Sequence, residues 1–182
     1  MIKIIGFCFF LFLFRFSFAA SSETEILFIS NINGVIENCH CGDPALGGMA
    51  RMATLIQEER KRNPKLLLID GGDFFNSYPF PLLNRAVAQV YRLIKPDILT
   101  PGDQEFMEGI PFFKKNIKPL QKQLLATNLF LPDFAMPKEK VYTILKRTKI
   151  AFLSYLDPQA FQFSGKSSAI HLRLTDFNQL YH

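Results

Sequence analysis

The 182-residue chain contains no tryptophan, and its aromatic content rests on 20 phenylalanines and five tyrosines. Many of those phenylalanines crowd into the first 18 residues, so the rest of the chain is less aromatic than the totals suggest. Basic residues never form a long run, and no aromatic RNA-binding motif is present. The formal charge of +5 includes Lys3 and Arg15 of a leader expected to be removed, and without those two it falls to +3. That is too small to argue for a nucleic-acid polymer or an anionic membrane as partner. No internal repeat or low-complexity stretch follows residue 20. Apolar residues at 48% and charged residues at 20% are ordinary for a globular protein. The length accommodates one domain with a core but hardly two.

The N-terminal apolar run is also short. Lys3 precedes 11 residues, Ile4 to Phe14, and Arg15 then interrupts the run. A helix spanning a bilayer of about 30 Å needs roughly 20 such residues. Ser17-Phe18-Ala19 has the small-x-small pattern of a cleavage site. Residues 1–19 therefore read as a secretory signal peptide, with a retained membrane anchor as the competing reading. Cys8 follows the bulky Phe7, which disfavours a lipoprotein cysteine. The expected destination is periplasmic or extracellular, with no membrane span after cleavage. Cys39 and Cys41 are then the two cysteines of an oxidising compartment.

Beyond the leader, strand-like and helix-like segments alternate. Residues 25–30 form a short apolar run ending in Asn31-Ile32-Asn33-Gly34, which predicts a buried strand and a turn. A polar loop over 37–48 leads to helical spacing over 49–62, with Met49, Met52, Ala53 and Ile56 on one side and a cationic last turn before Asn63-Pro64. Residues 65–69 predict a second strand running into Asp70-Gly71-Gly72-Asp73. A helix is expected over 82–94, a third strand over 97–100, short helical or irregular pieces over 110–117 and 120–123, and a fourth strand over 124–127. Residues 142–145 and 150–155 predict a hairpin, and 170–174 a strand. The resulting expectation is an α/β fold with a mainly parallel or mixed sheet flanked by helices, occupying residues 20–158, with 159–182 as a tail holding one strand. In such sheets polar groups gather at the carboxyl ends of the strands. Here those ends carry Asn31 and Asn33, then Asp73, then Asp103, Gln104 and Glu105.

The blocks FISNINGVIENCHCGDPALGGMARMATLI, LLLIDGGDFFNS, DILTPGDQEF and LLATNL resemble, in order and spacing, those of the metallophosphoesterase (calcineurin-like) superfamily, and within it the exported 5′-nucleotidase branch. YTILKRTKIAFLSYLDP is similar to the segment in which that family returns to its sheet. The resemblance implies the N-terminal half of an α/β sandwich and, in active members, two divalent metals. Those are held by Asp-x-His after the first strand, Gly-Asp after the second, Gly-Asn-His-Glu after the third, and later histidines. Paired metals activate a water and neutralise the phosphoryl oxygens, and the histidine beside them serves the transition state or leaving group.

This sequence departs from that pattern at most ligand positions. Asn31 and Asn33 stand where the family has Asp and His, Asp73 matches the Gly-Asp ligand, Asp103 replaces the Asn ligand, Gln104 replaces the catalytic His, and Glu105 is retained. After residue 105 the histidines are His171 and His182, with no Gly-His-x-His. Asn offers only a neutral oxygen to a cation. Gln104 has no proton to give near neutral pH, and loss of such a group typically costs about 10²–10⁴-fold in rate. What remains is an oxygen-only site from Asn31, Asp73, Asp103 and Glu105, suited to one hard cation such as Mg²⁺, Mn²⁺ or Ca²⁺.

Cys39-His40-Cys41 offers a second set of donors, two thiols and an imidazole suited to zinc or copper. A tight disulfide or two thiols resting in a loop are the competing, structural explanations. Asp70 reads as a turn cap beside Asp73, and the Phe pairs at 74–75 and 112–113 as core. The leading expectation is an exported, degenerate relative of the phosphoesterases that lacks dinuclear catalysis and binds a metal or a partner. A protein partner or a homodimer would cover the half of the sandwich that the resemblance finds absent. The alternatives are an active phosphoester or nucleotide hydrolase with altered ligands, and a thiol or metal-handling module at Cys39 and Cys41.

Overall fold

The computed structural model describes residues 24–38, 42–43, 46–131, 133–134, 143–144, 150–162 and 173–175. The expected signal peptide over residues 1–19, Cys39-His40-Cys41 and His171 lie outside the described residues. Three strands form a parallel sheet in the order β1 (Ile26–Ile29), β2 (Leu67–Asp70), β3 (Ile98–Leu99). Ile26 pairs with Leu67 and Ile69 with Ile98 in that register. Three helices follow from the periodicity: α1 (Met49–Arg62), α2 (Pro81–Ile94) and α3 (Ile110–Ile117). Pro81 opens α2, where its missing N–H costs nothing. Lys95 ends it in the left-handed region at φ 48°. The cationic end of α1 is tied to that terminus: Arg60 donates to the carbonyls of Ile94 and Lys95 and lies 3.7 Å from Asp97. Those are the carbonyls that a helix end leaves without partners.

The helices gather on one face of the sheet. Met49, Ile56, Val87, Ala88, Tyr91, Phe113 and Ile117 pack there with Leu68 and Leu99, and with Leu27 and Ile29 of β1. Strand alternation sends Ile69, Ile98 and Leu125 to the opposite face, where Phe152 packs on them. On that face Phe28 is 62% exposed and Ile26 41%. Phe74, Phe75 and Phe113 are fully buried, the core role expected for those pairs.

The fourth strand differs from expectation. Its place at 124–127 holds a parallel bridge of Leu124 to Leu99, with Leu125 N–H donating to Leu99 O. Beyond that the backbone turns to other partners. Thr127 N–H donates to Ser154 O, and the buried Asn128 side chain accepts from Leu156 N–H and donates to the carbonyls of Leu156 and Thr175. Side-chain amides thus satisfy groups that a longer ladder would have paired. The strand β4 forms later, at Leu129–Phe130, antiparallel to β7 (Arg173–Leu174), the latter inside the expected 170–174. The expected hairpin pairing is present as β5 (Thr143–Ile144) against β6 (Ala151–Phe152). Among the described residues no helix is long and apolar enough to cross a membrane.

Candidate metal-binding rim

The loops that follow β1, β2 and β3 meet at one end of the sheet, joined largely through their backbones. Asn31 N–H donates to Gly72 O at 2.9 Å, Asn33 N–H to Asp73 O at 2.9 Å, and Gly34 N–H to Phe74 O at 3.0 Å. Asn31, Asn33 and Asp73 all adopt left-handed backbone, at φ 54°, 52° and 58°. Asn and Asp are the residues that tolerate this region best after glycine. Gly72 is the position where glycine is required: at φ 100°, a Cβ would sit 2.8 Å from Gly102 N.

Of the six residues predicted for this rim, two carboxylates are brought side chain to side chain. Asp73 and Asp103 interact directly, and Gln104 N–H lies 3.5 Å from Asp73 Oδ1. Burial pushes the Asp73 carboxyl above the usual carboxylate range, and the Asp103 charge adds to the shift, against the Gln104 amide bond. Both line a cleft of about 520 Å³, floored by Ile69, Ile98 and Leu125 on the less covered sheet face. The two asparagines join the rim by main chain instead. Asn33 Nδ2 folds back to Asn31 O at 2.9 Å, and Asn31 lines a neighbouring apolar groove with Ile32, Leu46 and Arg51. Gln104 has a buried Oε1 with no hydrogen-bond partner. Among the described residues no group of three or more His, Cys, Asp or Glu side chains is placed to hold a metal.

Glu105 corrects one expectation. Its side chain is fully buried and is not free to hold a cation. Oε1 accepts from Phe74 N–H and Phe75 N–H, both at 2.9 Å, while Oε2 accepts from Asp73 N–H at 3.0 Å and Gly102 N–H at 2.6 Å. Burial pushes its carboxyl up to about 8 against those amide bonds. Asp70 caps the turn as read, accepting from Gly72 N–H at 2.7 Å. It also accepts from the buried Tyr91 hydroxyl at 2.5 Å, and burial raises it to about 7. Sequence reasoning missed Tyr91, because a tyrosine on the apolar stripe of α2 carries no sign of which polar group its hydroxyl will meet. It also missed Asn84, buried at the start of α2, whose Oδ1 accepts from Asn76 N–H at 2.8 Å.

Comparison with known proteins agrees with this geometry. Human 5′-nucleotidase is 27% identical over 144 residues, covering 65% of this chain and 25% of that protein. The trifunctional nucleotide phosphoesterase YfkN of Bacillus subtilis (strain 168) is 23% identical over 154 residues, covering 71% of this chain and 10% of its own length. The chain thus spans a quarter or less of these relatives. The structure of the NAD nucleotidase of Haemophilus influenzae superposes with a TM-score of 0.67 at 20% identity, over 86% of this chain and 30% of the other, a likeness of fold. The model of the calcineurin-like phosphoesterase family matches residues 39–162, well over half of the chain. A match over more than half of the chain shows the family, and the chain belongs to it.

Proposed function

We propose that this chain is an exported, catalytically degenerate member of the phosphoesterase family, one that holds a single hard divalent cation at Asp73 and Asp103 and does not carry out dinuclear phosphoester hydrolysis. The observation that carries the reading is the composition of the rim. Its side-chain contact unites two carboxylates and no imidazole, with neutral amides at 31, 33 and 104. Two carboxylates with waters completing the shell suit Mg²⁺ or Mn²⁺, which dehydrate reluctantly. A cation between them would also relieve the repulsion that, with burial, raises Asp73. The unpartnered Gln104 Oε1 is an acceptor that a metal-bound water can satisfy. A second metal would need nitrogen or carboxylate ligands that the described residues of this rim do not supply. Export rests on the pattern of residues 1–19.

What the chain's own residues can do without a second metal is limited. The carboxylates can fix a hydrated cation and orient its waters, and Gln104 can accept or donate a hydrogen bond. Neither supplies a general acid near neutral pH. The test is Mn²⁺ titration of the purified chain by electron paramagnetic resonance, beside hydrolysis of an aryl phosphate with Mn²⁺, Mg²⁺ or Zn²⁺. One weakly held ion and no turnover above background is the expected result. Turnover lost in Asp73→Ala would establish the active alternative instead.

The less covered sheet face favours a further part of this reading, that a protein partner or a second copy packs on it. Phe28, Leu153 and Tyr155 there are 62%, 55% and 41% exposed. Sedimentation equilibrium of the chain, alone and at rising concentration, reads self-association directly.

A further inference from the structure

Glu105 is the rim carboxylate to which the cation leaves no task, and its surroundings point to another. Three consecutive backbone N–H groups, from Asp73, Phe74 and Phe75, converge on it, and a fourth comes from Gly102 in the loop after β3. Converging amides of this kind make a concavity that ordinarily receives an anion. Here the anion is the protein's own side chain, fully buried, with both oxygens doubly used. One of the four amides belongs to Asp73 itself, whose backbone sits at φ 58°, where a non-glycine residue persists only when its surroundings hold it. The partner loop is in backbone contact at the same place, since a Cβ on Gly72 would lie 2.8 Å from Gly102 N.

We propose that Glu105 is a positioning residue, which locks loop 72–75 to loop 101–104 and so sets the Asp73 carboxylate beside Asp103 before any cation arrives. The inference rests on the cation reading above for its consequence, though not for its geometry. An ordinary buried hydrogen-bonding residue would contribute to stability wherever it sat. Glu105 differs because the amides it gathers are those that fix one ligand relative to the other.

The full chain carrying Glu105→Gln tests this, because the amide keeps the size but turns an N–H₂ toward two of the four donors. Two readouts are taken on folded protein: Mn²⁺ affinity by electron paramagnetic resonance, and amide hydrogen exchange by nuclear magnetic resonance. Mn²⁺ binding should weaken about 10–100-fold, the usual effect of removing a residue that orients a ligand. Exchange at Asp73, Phe74, Phe75 and Gly102 should quicken while Leu68 and Ile69 of β2 keep their protection. Wild-type Mn²⁺ affinity in the variant overturns the proposal and leaves the cation reading standing. Absence of Mn²⁺ binding in the wild type sinks the cation reading, and the exchange pattern then decides this one: unchanged exchange at residues 73–75 overturns it. Should Glu105→Gln fail to fold, Glu105→Asp keeps the charge but is one methylene short of bridging both loops, and the same two readouts apply.

Discussion

Between pH 5 and pH 7 the fold should lose stability through Asp70. The residue is fully buried, and its carboxyl is raised to about 7, chiefly by burial, against a value near 4 in the unfolded chain. Across that interval the folded state keeps a proton that the unfolded state has released. A raised acid contributes its stability in full below the unfolded value and loses it as pH rises through the folded one. The slope is about 1.4 kcal/mol per pH unit, flattening near the folded value, so the loss from pH 5 to 7 is about 2 kcal/mol. Glu105, raised to about 8, acts in the same direction, so the wild-type slope alone does not identify Asp70. Asp70→Asn does. The amide can still accept from Gly72 N–H, as Oδ1 does at 2.7 Å, but it cannot ionise. Urea unfolding of both proteins at pH 5, 6 and 7 should show the variant's profile shallower by about 1 kcal/mol per unit. Parallel profiles would refute the reasoning, since they would mean that Asp70 ionises as readily inside as outside.

Tyr91→Phe removes the donor to Asp70 Oδ2 and leaves a buried oxygen unpaired. It should cost about 1–3 kcal/mol in urea unfolding, and a neutral result would mean the pair contributes nothing. Gly102→Ala meets no backbone penalty, but its Cβ would overlap Asp73 Oδ1 and lie 2.8 Å from Cγ. It should lower Mn²⁺ affinity at least about tenfold, as displacement of a ligand's support does, measured by the same resonance titration. Phe28→Ser, at a residue 62% exposed, should leave chain stability within about 0.5 kcal/mol while reducing any association seen by sedimentation.

Much of this fold is written in local pattern. The apolar spacing before Asn63-Pro64 marks α1 to its last residue, Arg62, because amphipathic period and breaker residues act within a few positions, while Ile110–Ile117, read as helical or irregular, forms α3. The parallel pairing of the strands and the meeting of three loops follow from strand and helix alternation. The fourth strand was not legible, because nothing near residues 124–127 announces that Asn128 will capture the backbone at Leu156 and Thr175. Glu105 shows the same limit at the site. Its position within a ligand motif suggested a cation, whereas its role is set by four amides, three of them some 30 residues earlier in the chain.

The rim also explains how ligand chemistry can change while the architecture stays. Its loops are fastened by main-chain bonds, from Asn31 to Gly72, Asn33 to Asp73 and Gly34 to Phe74, and by the Glu105 carboxylate. None of these uses the side chain at 31 or 33. What the backbone asks of those two positions is tolerance of φ near 50°, which Asn meets better than most residues. Asparagine there costs the fold little, while by the resemblance it takes the place of an anionic or imidazole ligand at each position. Shape at this rim and chemistry at this rim are therefore held by different atoms. Membership of the family rests on the matched sequence and the fold, and under the cation reading proposed above the donor atoms at 31, 33, 73, 103 and 104 decide which metal the rim takes.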